Sequence, residues 1–230
     1  DFFRDRVIFP IHNVTGKVIA FAGRTLKSDK KIPKYVNSPE TVIYNKSQVL
    51  YGAFLAKAEM RKEDNCYIVE GYTDVISLYQ GGITNVVASS GTSLTQEQVR
   101  LVRRYTRNIT MLYDGDEAGI KAALRGVDLI LEEDMNVRVV VLPDGEDPDS
   151  YIKSVGSSQF SNYLSHEAKD FILFKLDLMR EEAAGDPVKQ AELIKEMVRT
   201  VALIPDALKR STYLSKVASV LQVREALLVN

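Results

Sequence analysis

The 230-residue chain has one cysteine and two histidines. Cys66 alone can form neither an internal disulfide nor a multi-cysteine zinc site, and its place in the apolar run Cys66-Tyr67-Ile68-Val69 suits a buried structural thiol. His12 falls in a hairpin turn and His166 in a helical tail, neither with a sequence partner for acid–base work. No run approaches the roughly 18 apolar residues of a membrane span, and no signal-peptide pattern opens the chain, so a cytoplasmic protein with no membrane partner is expected. Internal repeats and low-complexity tracts are lacking too. The chain opens on Asp1 inside what reads as a running motif, and is expected to be a piece of a longer one. With 45% hydrophobic and 27% charged residues, it suits a globular fold of one large domain or two to three small ones.

A net charge of −1 conceals a strong asymmetry. Residues 1–60 carry a net +5, residues 61–164 a net −6, and residues 165–230 are balanced. A basic segment beside an acidic one suits a polyanion held next to a divalent-cation site, against the plainer reading of ordinary solvated surface.

Three stretches follow. In the first, Val7–Ile11 and Val18–Phe21 flank Asn13-Val14-Thr15-Gly16, which predicts a hairpin. Lys27–Lys31 is a polar loop, Lys34–Glu40 is expected to be irregular because Pro39 cannot join a ladder, and Gln48–Met60 predicts a helix. The second stretch alternates strand and helix: strands over 66–69, 86–88, 109–113 and 137–142 are each followed by a helical pattern, with Thr95 as a helix cap. Short, β-branched runs apolar on both faces predict a parallel sheet with right-handed crossovers. The third, from about 157, reads as helical throughout, with apolar spacing in Phe171, Phe174, Leu178 and in Leu193, Met197, Val201. Asp186-Pro187 and Pro205-Asp206 mark helix starts, and a helical bundle is expected. The domains predicted are a basic mixed α/β part over 1–62, an α/β part over 63–156 and the bundle over 157–230.

Glu70 ends the first parallel strand, Asp114 and Asp116 the third, and Asp147 and Asp149 follow the fourth. Open α/β sheets place ligands at these strand ends. Gly115, between two acids, is expected to adopt an unusual backbone angle, and the helix after it points its amino end at the same spot. Asp-Gly alone is a common surface turn. Five acids at three strand ends, however, repel one another unless cations are present, and hard oxygen ligands suit Mg²⁺ with substrate phosphates.

The run Glu70-Gly71-Tyr72-Thr73-Asp74-Val75 with Asp114-Gly115-Asp116 resembles the Toprim domain shared by primases, topoisomerases and some nucleases. Arg6–Ile11, Phe21-Ala22-Gly23-Arg24, Pro33–Thr41, Leu50-Tyr51-Gly52, Ser90–Thr95 and Pro143–Asp149 narrow the resemblance to the catalytic core of bacterial DNA primase, the DnaG type, over residues 1 to about 156. Ala22 stands where that family usually has glycine. The resemblance implies a Toprim parallel sheet flanked by helices, metal ligands at Glu70, Asp114 and Asp116, and further active-site acids at Asp74, Asp147 and Asp149. It implies nucleic-acid or nucleotide contacts at Arg24, Lys34, Tyr35 and Lys46. Lys46 also reads as a plain solvated lysine, and Tyr35 either stacks on a base or simply packs, with packing favoured.

The implied activity is a nucleotidyltransferase making RNA primers on a single-stranded DNA template from NTPs, with two Mg²⁺ or Mn²⁺ ions. Zinc and the docking site for a replicative helicase are expected outside this chain, and residues 1–230 alone are expected to be weakly active. The rival readings are another Toprim enzyme, a topoisomerase or nuclease, or a non-catalytic nucleotide-binding module. None of the eleven tyrosines has a context that marks a topoisomerase nucleophile.

Overall fold

A computed structural model of the chain describes residues 2–27, 31–91, 93–183 and 185–228. Ser28, Asp29 and Lys30 of the polar loop, and Thr92 of the Ser90–Thr95 segment, lie outside the described residues.

Strands β1 (Arg6–His12) and β2 (Val18–Thr25) form the predicted antiparallel hairpin. Its turn is chemically specified: Asn13 Oδ1 accepts the backbone N–H groups of Thr15 and Lys17, both at 3.0 Å, and Gly16 takes a φ of 89°. The segment expected to be irregular forms a third strand, β3 (Tyr35–Asn37), on the other edge of β2. Pro39 does not prevent this, because the ladder ends at Asn37 before the missing N–H is needed. The helix expected from Gln48 starts later. Tyr51 first bridges to Ala88, Gly52 turns the chain at φ 84°, and α1 spans Ala53–Lys62.

The remainder is built on a parallel sheet. In chain order come β4 (Cys66–Val69), α2 (Tyr72–Gln80), β5 (Val86–Ala88), α3 (Gln96–Arg103), β6 (Asn108–Tyr113), α4 (Glu117–Glu132), β7 (Asn136–Val141), α5 (Pro148–Val155) and α6 (Ser157–Glu167). Strand order is β5-β4-β6-β7, with β8 (Lys169–Asp170) added antiparallel at the β7 edge. The chain leaves β4 toward β5 and then crosses back to β6, so the topological switch point lies between β4 and β6. Thr95 caps α3 as predicted, its Oγ1 accepting the Gln98 N–H at 3.2 Å while Gln98 returns a bond to the Thr95 N–H.

Helices α7 (Phe171–Ala183), α8 (Pro187–Ala202) and α9 (Ala207–Leu221) form the tail. Asp186 and Asp206 cap α8 and α9, as the Asp-Pro and Pro-Asp signals predict. The tail also does more than bundle. It supplies β8, and Phe171, Leu193, Met197, Val201 and Val217 share one buried cluster with Cys66, Ile68, Met111 and Val139 of the sheet. A separate cluster of Phe9, Ile11, Ala20, Ala22, Tyr44 and Tyr72 joins the basic three-stranded sheet to α2. That seam sets the basic strands beside the loop that follows β4.

Candidate active site

Glu70 leaves β4 at the switch point, and Asp114 leaves β6 beside it. Two residues on, Asp116 caps α4, its Oδ1 accepting the Gly119 N–H at 2.7 Å. Gly115 does not sit at positive φ, contrary to expectation. It is needed for close approach instead, since a Cβ there would stand 2.4 Å from the Leu142 carbonyl oxygen and 2.9 Å from that of Pro143. The absent side chain lets the Asp-Gly-Asp turn lie against the end of β7, whose following loop carries Asp147 and Asp149.

Those two acids open α5. Asp147 caps it through the Ser150 N–H at 2.7 Å. Asp149 accepts a hydrogen bond from Ser77 Oγ of α2 and pairs with Lys153 at 2.5 Å. Asp74, buried on α2, accepts the Gly71 N–H at 2.9 Å.

The electrostatics of the row are uneven. Burial first, then Glu70, Asp74, Asp147 and Asp116, push the Asp114 carboxyl up to about 7. Asp74 is pushed up to about 6 by burial, with the Gly71 N–H opposing and Asp147 and Asp149 adding to the rise. Burial and Asp116 raise Glu70, partly offset by the Arg125 guanidinium. At Asp149 burial also pushes upward, but Lys153, Ser77 and Arg24 together carry it below the usual carboxylate range. The centre of the row is therefore short of positive charge while its α5 end is not.

The basic residues approach from β2 and β3. Arg24 stands opposite Tyr35 in the ladder, with its guanidinium 5.9 Å from the Tyr35 ring centre and the Lys34 ammonium at the same distance. Arg24 Nε is buried with no hydrogen-bond partner among the described residues. Tyr35 packs among Phe9 and Tyr72, ring centres 6.3 and 5.7 Å away, and its hydroxyl lies 3.5 Å from Thr73 Oγ1 on α2. It thus pins the basic sheet to the helix that follows Glu70. Lys46 is set in a tight helical turn, its N–H bonded to Glu40 and its carbonyl accepting from the Gln98 amide.

The fold brings Glu70, Asp74, Asp114, Asp116, Asp147 and Asp149 to one sheet edge, with Arg24 within electrostatic reach of Asp149. Among the described residues no three His, Cys, Asp or Glu side chains already form a ligand group. The donor set nonetheless fits hard divalent cations, because its oxygens are carboxylate and no cation among the described residues offsets Asp114 or Asp74. Two residues escape sequence reading. Ser77 holds Asp149 from three residues beyond Asp74, a spacing that shares its helix face. Arg125 lines a cavity of about 460 Å³ with Glu70, together with Ala118, Ala122 and Leu129 of α4. Helical periodicity from Ala118 was the available signal.

A family model described as Toprim-like matches residues 67–152, and one for the N-terminal domain of the DNA primase catalytic core matches residues 1–57. A third, for the DnaB-helicase binding domain of primase, matches residues 174–226. This corrects the expectation that helicase docking has no counterpart in the chain: apolar helix spacing alone did not distinguish such a segment from plain packing helices. A DNA primase of Halalkalibacterium halodurans is 42% identical over 219 residues, covering 95% of this chain and 36% of that protein. The chain thus spans little more than a third of the curated relative. A DNA primase domain from Pseudomonas aeruginosa superposes with a TM-score of 0.89 at 36% identity, over 99% of this chain and 72% of that one. The structure of a DnaG primase catalytic domain bound to single-stranded DNA gives 0.88 at 34% identity, over 99% and 72%.

Proposed function

The chain belongs to the bacterial DNA primases of the DnaG type, within their catalytic core, and on that premise we propose that it makes RNA primers on single-stranded DNA by nucleotidyl transfer from NTPs. The carrying observation is the row of carboxylates at the switch point, with Asp114 raised in pKa at its centre and, at its flank, an arginine whose buried nitrogen has no partner among the described residues. In the reaction a 3′-hydroxyl attacks the α-phosphorus of the incoming nucleotide and pyrophosphate leaves. Two Mg²⁺ or Mn²⁺ ions, when bound, supply acidification of that hydroxyl and neutralisation of the triphosphate.

The chain's own residues do the rest. Glu70, Asp114 and Asp116 hold the cations, with Asp147 at the flank and Asp74 and Ser77 fixing the neighbouring backbone and Asp149. Arg24, Lys34 and Lys46 hold phosphates of template or nucleotide, at donor-rich positions suited to phosphate oxygens. Tyr35 keeps that sheet in register with α2. The division into a basic part (1–62), a Toprim part (63–156) and a helical tail (157–230) belongs to the same proposal, as does helicase contact through 174–226. Zinc is assigned to the rest of the protein, and the setting to the cytoplasm.

The test is incorporation of labelled NTPs on single-stranded DNA by the whole protein, with and without Mg²⁺ or Mn²⁺, beside a DNA-cleavage assay. Cation-dependent incorporation without cleavage is expected. Cleavage without incorporation would assign the site to the topoisomerase or nuclease branch of the fold.

A further inference from the structure

The acid row has a cation at each end, but only one end belongs to the basic sheet. Arg24 and Lys153 act on Asp149 at the α5 side, and Arg125 acts on Glu70 at the α4 side. Arg125 is exposed and, among the described residues, makes no hydrogen bond and no ion pair within 4.0 Å. It opens instead onto the cavity of about 460 Å³ between α4 and the loop after β5. The cavity is built in three kinds of surface. Leu94, Ala118, Ala122 and Leu129 give an apolar floor, Ser89 and Ser93 a hydroxyl-bearing rim, and Glu70 the wall next to the acids. The loop is tied to that wall, because the Ser90 N–H donates to the Glu70 carbonyl at 3.1 Å.

Nucleotidyl transfer needs two nucleotides on opposite sides of the reacting centre, and resting on the function proposed above, the α4 side is where the second is missing. We propose that this cavity receives the nucleotide presenting the 3′-hydroxyl, with Arg125 gripping its phosphate. A guanidinium offers a planar fork to phosphate oxygens, and among the described residues it has no hydrogen bond to give up first. The apolar floor suits the flat face of a base and sugar, and the two serines suit ribose hydroxyls. A pocket of about 460 Å³ has room for one nucleotide. Glu70 then stands beside the hydroxyl that attacks, while the basic sheet serves the triphosphate across the row.

The test uses the full-length protein and an RNA–DNA hybrid with a recessed RNA 3′ end, in two forms. One has a normal phosphate at the last RNA linkage and the other a neutral methylphosphonate. Dissociation constants are measured in Ca²⁺, and extension kinetics in Mg²⁺. Arg125→Ala should weaken the normal hybrid about tenfold, as loss of a charge-assisted phosphate contact does. It should leave the incoming NTP's KM within about twofold and bind the methylphosphonate hybrid no worse than wild type does. Arg125→Lys should recover part of the loss. Lys121→Ala, on the same helix but paired with Glu117 at 2.5 Å, should change neither constant. Additive losses from Arg125→Ala and the methylphosphonate, or an effect on the NTP's KM instead, would overturn the assignment while leaving primer synthesis standing. A wild-type protein unable to extend any hybrid would remove both the assignment and the function it rests on.

Discussion

Two regions of this molecule take charge out of water, and they do so in opposite ways. In the tail, the Lys175 side chain is 2% exposed, and its ammonium meets Asp128 and Glu196 at 3.2 Å each and Thr200 Oγ1 at 2.5 Å. That cluster is locally complete, and it ties α7 to α8 and to α4 of the parallel sheet. At the carboxyl edge of the same sheet, Glu70, Asp74 and Asp114 are each raised by burial and by neighbouring acids, with Arg125 opposing at the Glu70 end. The first region spends its charges on holding helices together. The second leaves its central acids uncompensated, which costs stability and, on the function proposed above, suits cations and phosphates.

The largest effect that sharpens this contrast is on activity. Asp114→Ala should lower nucleotide incorporation by the whole protein at least about 100-fold while leaving the metal-free melting temperature unchanged or higher, because it relieves repulsion and opens no core. A variant that melts well below wild type would make Asp114 a structural residue and erase the contrast.

Next is the tail. Lys175→Ala removes a buried cation and its stem, and should destabilise by about 2–4 kcal/mol in urea titrations, with nucleotide incorporation per folded molecule preserved. The exposed sides of Asp128 and Glu196 let water take over part of the lost solvation, which keeps the cost within that range. Equal losses of stability and of activity in the folded fraction would show that the two regions are not separable.

A smaller effect lies in pH. Asp74 and Asp114 titrate above the ordinary value of 3.8, so the folded state holds their protons more tightly than the unfolded chain does. Their contribution is complete below about pH 4 and is lost as pH rises through about 6 to 7. The melting temperature of the metal-free protein should therefore fall across that window, Asp114→Asn should flatten the fall, and Mg²⁺ should stabilise more at pH 8 than at pH 5. A metal-free curve that rises through the window would contradict the uncompensated-acid account.

The smallest effect concerns the basic sheet. Arg24→Ala and Lys34→Ala should each weaken single-stranded DNA or NTP binding severalfold and reduce the slope of log affinity against log salt by about one unit, with little change in melting temperature. Salt-independent binding would make the charge asymmetry of the chain incidental.

Much of this was legible because the signals are local. Short β-branched runs apolar on both faces marked β4 to β7, Thr95, Asp186 and Asp206 marked helix starts, and Asn13 with Gly16 marked the hairpin turn. Where an element depends on a distant partner the reading failed. β3 exists because β2 offers an edge to Tyr35–Asn37, and β8 because β7 does. The late start of α1 reflects the bridge from Tyr51 to Ala88, 37 positions along the chain. The helicase-binding match in the tail was missed because amphipathic spacing looks the same whether a helix also meets a partner or only its own core.

The sequence by itself determined the acids, their positions after buried strands, and the charge difference between the basic and acidic stretches, since strand periodicity and residue type need no neighbours to be read. The tertiary structure alone decided which acids share one field and which charge is satisfied. Gly115 shows the difference: its identity is local, but its reason is the Leu142 carbonyl 2.4 Å from where a Cβ would stand. Strand order brings that carbonyl there, just as it sets Arg125 across from Glu70. Coulombic and steric terms depend on distance through space, and the chain has no such distances until the sheet closes.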